Sequence, residues 1–316
     1  MLRRLPDLWL FLLVAFGLSW LFVLPLWSAD TLTGAPLFFV TALAMMFTPT
    51  LGVLAVLARA RRLGRPGTTW REWAGRTGLG LGYRRGRTIA LFALGWFGIP
   101  VLVVVAIALS VALGLLSLDL HGLSLFQGTM AASVTGPLAM DSATLVAVQL
   151  AAMVLIAPLI NSIAAFGEEW GWRGWLLPRL APLGTWRALL VSGVIWGVWH
   201  FPLTLRGYNY PDLGAWAGPM FVIFCVAFGA LLGWLRLYSG SVWPAVVGHG
   251  SLNASAGMIM LVGDAADPPV LAIAGITGLV GSVLLVVVSA LLFKSLPAEA
   301  PVPAAPPAHP ASSHPS

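Results

Sequence analysis

The stretch FGEEWGWRGWLLPRL, Phe166–Leu180, closes a long apolar run with two adjacent carboxylates, Glu168 and Glu169, and follows them with Trp170, Trp172, Arg173 and Trp175. Charge is scarce elsewhere. Only 9% of the 316 residues are Asp, Glu, Lys or Arg, and 59% are hydrophobic. A soluble domain carries about 25% charged residues. A composition this apolar belongs to an integral membrane protein, so chain length is read as a number of spans. The single cysteine, Cys225, sits in the apolar run FVIFCVAF. It rules out an internal disulfide framework and a cysteine-rich metal site.

Working outward, runs of about 20 apolar residues, enough to cross the hydrocarbon core, occur at eight places. They are Leu8–Trp27, Pro36–Ala58, Thr88–Leu116, a run from near Thr144 to the glutamates, Ala188–Leu205, Trp216–Leu235, Val242–Val262 and Val270–Phe293. The first follows Arg3 and Arg4 but has the length of a full span and no A-x-A site, so it reads as a retained helix rather than a signal peptide. The expected fold is all-α: a polytopic bundle of about eight transmembrane helices around an intramembrane polar cavity. Residues 1–143 would hold the first three spans and a basic loop at 59–87. Residues 144–296 would hold the other five and the polar residues. Residues 297–316 are a Pro/Ala-rich, low-complexity tail expected to be disordered.

The basic residues orient this arrangement. With eight spans and the N-terminus inside, every one of the 17 Lys and Arg except Arg206 falls on the inner side, as the positive-inside rule requires. Asp30, Asp119, Asp141, Asp212, Asp264 and Asp267 fall outside. Both termini are therefore expected in the cytoplasm, and the Arg- and Ala-rich composition points to the inner membrane of a bacterium. The formal charge of +6 is explained by topology and attraction to anionic lipid, not by nucleic acid.

Ionisable side chains at membrane depth cost roughly 2.5–3.5 kcal/mol each on insertion scales, so those that persist mark functional candidates. They are Glu168, Glu169 and Arg173 at the end of the fourth span, His200 at the end of WGVWH, and His249 in HGSLN, with Asn253 one turn on. Each has a plain structural reading. Glu169 and Arg173 have the i, i+4 spacing of a helix ion pair and can finish the helix at the interface, with Trp170, Trp172 and Trp175 at headgroup level. His200 can sit in an aromatic belt beside Trp196 and Trp199. His249 can bond a neighbouring carbonyl. Glu168 points about 100° away from Glu169 on an α-helix, so the pair leaves it without a partner. Together, a carboxylate, two histidines and an asparagine suit activation of a water. The carboxylate takes the proton, the histidines hold the water or a metal, and the asparagine N–H stabilises an oxyanion.

Three motifs stand in order: EEWGWR as EExxxR, WGVWH with three residues between the aromatic Trp196 and His200, and HGSLN as HxxxN. In these the sequence resembles the CPBP family of intramembrane endopeptidases, the CAAX protease and bacteriocin-processing family that includes the Rce1-type prenyl-protein proteases. Many members have Phe where Trp196 stands. The resemblance covers roughly Asn161–Ala256; the first three spans and the tail match in hydropathy only. It implies that Glu168 is the general base, that His200 holds the attacking water or a metal, and that His249 and Asn253 hold the water or metal and stabilise the oxyanion. Glu169, Arg173 and Trp196 would support them. A divalent metal such as zinc would be held by His200, His249 and Glu168, or the enzyme would work without one. The substrate would be a membrane-associated or lipidated, CAAX-like protein or peptide, reached from the bilayer or the cytoplasm. Two other functions fit the same residues: a non-catalytic immunity or scaffold protein, and a proton-coupled transporter. Other intramembrane protease designs are absent. There is no HExxH, Leu261 stands where GxGD needs glycine, and Leu190 where GxSG needs it.

Overall fold

Helix α1 (Leu5–Val23) runs against α2 (Phe38–Arg62) as an antiparallel pair. The computed structural model describes residues 5–29, 32, 37–133 and 140–296. Arg3, Arg4, Asp30 and the Pro/Ala-rich tail with His309 and His314 lie outside them. A short helix α3 (Trp70–Arg76) follows, then α4 (Arg85–Ala93), which runs through a π-helical turn (Leu94–Gly98) into α5 (Ile99–Ala112). Helix α6 (Ser124–Ser133) precedes α7 (Ser142–Leu155) and α8 (Ala157–Glu169). A second π-helical segment, Trp170–Leu176, continues α8 into α9 (Leu177–Leu180). The remaining helices are α10 (Thr185–Trp199), α11 (Phe201–Thr204), α12 (Ala217–Ser239), α13 (Trp243–Ser255), α14 (Met258–Val262) and α15 (Leu279–Ser295). Among the described residues there is no strand beyond one isolated bridge, Leu118 with Gly263. The protein is an all-α integral membrane protein.

Five helical stretches are long and apolar enough to cross a membrane, and the α7–α8 pair makes a sixth if its 47° bend is counted within one span. In the expected fifth and eighth spans the helices are shorter: α10 has 15 residues and α15 has 17. The bend has a local cause. Pro158 has no N–H to give the preceding turn, so the helix is interrupted at Ile156 and starts again with the proline in its first turn.

The apolar surface is turned outward. Phe39 is 81% exposed and Leu13 72%, a distribution that suits lipid and would be a liability in water. Helix α12 forms the centre: 83% of its most apolar stretch is buried, against 22% for the first span. It packs on α10, α13 and α15, while α8 lies between α2 and α13.

The basic segment between α2 and α4 is a docked structure rather than a free loop. Thr69 caps α3 in a reciprocal box with Glu72. The Thr69 hydroxyl, with its backbone N–H, holds the Glu72 carboxyl below the usual carboxylate range. Beyond α3 the chain lies against the α12–α13 turn. Gly78 accepts from the Val242 N–H at 2.8 Å, Leu79 from Trp243 Nε1 at 2.9 Å and Gly80 from Ser241 Oγ at 2.7 Å. Gly82 takes a left-handed φ of 71°, and a Cβ there would collide with the Ser239 carbonyl, so only glycine fits. Asp7 at the start of α1 meets Arg59 at 2.5 Å and Arg65 at 2.6 Å. The beginning of α1 therefore lies beside the basic segment, on the same side of the bundle.

Candidate active site

Glu168 and Glu169 end α8, and the chain widens into the π-helical turn at the next residue. Such turns are rare and recur at functional sites. Both carboxylates are buried, at 1% and 0% exposure, and Arg173 at 2%. The pair was expected at a helix end in the interface; it lies inside the protein. The tryptophans do the same. Trp170, Trp172 and Trp175 are buried instead of lining the headgroups. Phe11 of α1 stacks on Trp175 with ring centres 4.5 Å apart and meets Trp172 edge-on at 5.5 Å. Trp170 Nε1 donates to Thr77 Oγ1 at 2.9 Å. The docked segment and α1 cover this part of the chain, which hydropathy alone did not foretell.

The two glutamates have separate partners. Glu169 Oε1 accepts from Arg173 Nη1 at 2.8 Å and from His249 Nδ1 of α13 at 2.9 Å. Glu168 turns to α10. Its Oε2 accepts from Trp196 Nε1 at 2.6 Å and lies 3.9 Å from His200 Nε2. The expected ion pair of Glu169 with Arg173 is thus extended to a histidine that had been assigned to Glu168. Opposite directions for adjacent residues follow from helix geometry.

Neighbouring groups set the form of each histidine. His200 Nδ1 lies 2.9 Å from the Trp196 carbonyl, and a carbonyl only accepts. Its Nδ1 therefore carries the hydrogen, and Nε2 faces Glu168. His249 Nδ1 likewise donates to the Glu169 carboxylate, which leaves Nε2 for other work. Trp196 connects the groups: the Arg173 guanidinium sits 4.0 Å over its ring, and the His249 ring centre is 5.4 Å away. Asn253 follows His249 by one turn on α13, but its side chain is exposed and not drawn into the buried cluster. Cys225 is fully buried on α12, as an apolar filler would be.

The α10–α12 contact puts Trp196 and His200 where they are. Gly193 and Gly197 lie on the α12 backbone, where a Cβ would come within 2.6 Å of Val226 Cα and 2.7 Å of Val222 Cα respectively. Small residues allow this approach. Tyr208, in the segment after α11, packs its ring near Phe38 of α2, with centroids 5.7 Å apart. Nothing in the sequence singled it out, because a tyrosine in a loop carries no motif.

The donors do not form a three-ligand metal cage. Among the described residues no three His, Cys, Asp or Glu side chains converge on one point, and His249 Nδ1 is already engaged by Glu169.

Fold and site together define an integral membrane protein with an ionisable centre buried in its helix bundle. Residues 144–255 match the family model described as type II CAAX prenyl endopeptidase Rce1-like. The matched residues hold all three motifs. The protein named CAAX prenyl protease 2 from Methanococcus maripaludis is 28% identical over 108 residues, 32% of this chain. The chain spans about two fifths (40%) of that relative's length.

Proposed function

We propose that this chain is an intramembrane endopeptidase that hydrolyses a peptide bond of a membrane-associated or lipidated, CAAX-like protein or peptide. The observation that carries this reading is the placement of partly buried His200 beside buried Glu168, with Oε2 and Nε2 3.9 Å apart. That gap is too long for a direct hydrogen bond and suits one water bonded to both groups. Glu168 takes the proton of that water as general base. His200 Nε2 fixes its position, because Nδ1–H is held by the Trp196 carbonyl. His249, oriented by Glu169, presents Nε2 to the developing oxyanion when protonated, and Asn253 adds an N–H from the exposed side. The proton on Glu168 then goes to the leaving amine.

The match to the Rce1-like model and the similarity to a CAAX prenyl protease support the substrate class. The basic segment beside Asp7 supports a cytoplasmic position for that end of the bundle and, with the composition, a bacterial inner membrane. The test is cleavage by purified protein, in detergent or nanodiscs, of a C-terminal peptide library that includes prenylated CAAX peptides. It is run with and without chelator, beside Glu168→Ala. Cleavage lost in Glu168→Ala supports the reading, and a chelator effect would add a metal to it. A phenotype in cells that survives Glu168→Ala would favour a scaffold or immunity role, and substrate flux in proteoliposomes a transporter.

A further inference from the structure

Trp196 touches four of the five ionisable groups of the cluster, Glu168, His200, Arg173 and His249, with its indole N–H, its carbonyl and its ring. Its indole Nε1 donates to Glu168 Oε2 at 2.6 Å. Its carbonyl holds His200 Nδ1 at 2.9 Å. Its ring carries the Arg173 guanidinium at 4.0 Å and meets the His249 ring edge-on. The side chain is itself buried. We infer that Trp196 is a positioning residue: its indole N–H holds Oε2 of Glu168, the oxygen that faces His200 Nε2, and so fixes where the water between them is held. This rests on Glu168 being the general base.

Three physical points carry the inference. A hydrogen bond to an ionised carboxylate is stronger than one between neutral groups, and Nε1 lies 2.6 Å from Oε2. A carboxylate at the end of a flexible side chain has several rotamers, and a bond to one oxygen selects among them; preorganised groups of this kind lower the barrier to the chemical step. The donor is also held. Arg173 lies on the ring face, Gly193 and Gly197 seat α10 directly on α12, and the indole cannot swing away without moving the arginine. A phenylalanine at this position would keep a face for Arg173 and the same backbone carbonyl for His200, but would have no hydrogen to give. The indole N–H is thus an addition to the site separable from the other contacts of the residue.

The experiment separates that hydrogen from the bulk of the ring. Trp196→Phe and replacement of Trp196 by β-(3-benzothienyl)alanine, which keeps the bicyclic ring and exchanges the N–H for sulfur, are assayed on a prenylated CAAX peptide cleaved by the wild-type protein. Both should lower kcat by roughly ten- to a hundredfold, the rate equivalent of one hydrogen bond to a charged group, with KM little changed. If the benzothienyl protein retains wild-type kcat while Trp196→Phe loses it, ring packing matters and the inference is overturned. A second readout needs no turnover. The assigned Trp196 indole N–H resonance, in nitrogen-15-labelled protein in nanodiscs, should move upfield in Glu168→Gln, which has no charge to accept the bond. An unmoved resonance overturns the inference whether or not any peptide is cleaved. If the resonance moves and the wild-type protein cleaves nothing, the contact stands and the endopeptidase reading fails.

Discussion

Glu169 and His249 stand 80 residues apart in the chain and are joined by a 2.9 Å hydrogen bond in a fully enclosed place. The same carboxylate oxygen also receives Arg173. One acid thus ties the π-helical turn to α13 and balances the guanidinium that lies on Trp196.

Removing that acid should be felt first in stability. Glu169→Gln leaves Arg173 buried without its counter-charge, and breaking a buried pair costs about 3–5 kcal/mol. Chemical or thermal unfolding in detergent should show a loss of that size. The double variant Glu169→Gln with Arg173→Met should recover much of it, since the uncompensated charge is then gone. Recovery of nothing would mean the cost lies in the lost His249 contact instead.

Glu168→Ala should behave in the opposite way. Glu168 has a hydrogen bond to a neutral donor and no direct ion pair, so unfolding should change less than in Glu169→Gln. Cleavage should fall by about 10²–10⁴, the usual contribution of a general base. Comparison of melting curves with turnover on one batch of protein checks both halves.

Gly193→Ala and Gly197→Ala should push α10 off α12. The new methyl groups would meet Val226 and Val222 backbone, and overpacking of this kind costs about 1–3 kcal/mol each. Activity should fall beyond what the stability loss explains, because α10 bears both Trp196 and His200. Gly17→Ala is the control, as nothing lies within 4 Å of a Cβ there. It should be neutral or slightly stabilising.

Asp7→Asn should matter little. Arg59 and Arg65 are about one third exposed (35% and 36%) where they meet Asp7, and such pairs contribute about 0–1 kcal/mol. The small difference should shrink further in high salt, which a melting series at several ionic strengths would register.

Much of this arrangement was legible in the sequence because charge is expensive where the rest of the chain is apolar. Glu168, Glu169, Arg173, His200 and His249 stood out for that reason, and the structure brings them into one buried cluster. Their pairing was less legible. Which histidine meets which glutamate depends on how α10 and α13 are rotated about α8, and the i, i+4 rule says nothing of partners on other helices. Asn253 shared a face with His249 by spacing, yet its side chain is exposed. The burial of Trp170, Trp172 and Trp175 depends on α1 and on the docked basic segment, neither of which leaves a mark in a hydropathy profile. The Trp196 N–H contact was hidden by its residue type: an indole among apolar neighbours reads as packing. The apolar runs also did not reveal that Pro158 bends one helix and that the helices in two other runs are short.

The π-helical turn at Trp170–Leu176 has a consequence for how such sites vary between proteins. A turn closed by i→i+5 bonds holds one residue more than an α-turn. The distance from the carboxylates to α9 is therefore a matter of winding as well as of residue count. A relative could drop one residue here, tighten the turn to an α-helix, and keep its helices in place while Arg173's counterpart swings to another face. Spacing within EEWGWR then encodes which side of the helix carries the guanidinium, and a one-residue gap in this stretch would signal a rearranged centre rather than a lost one.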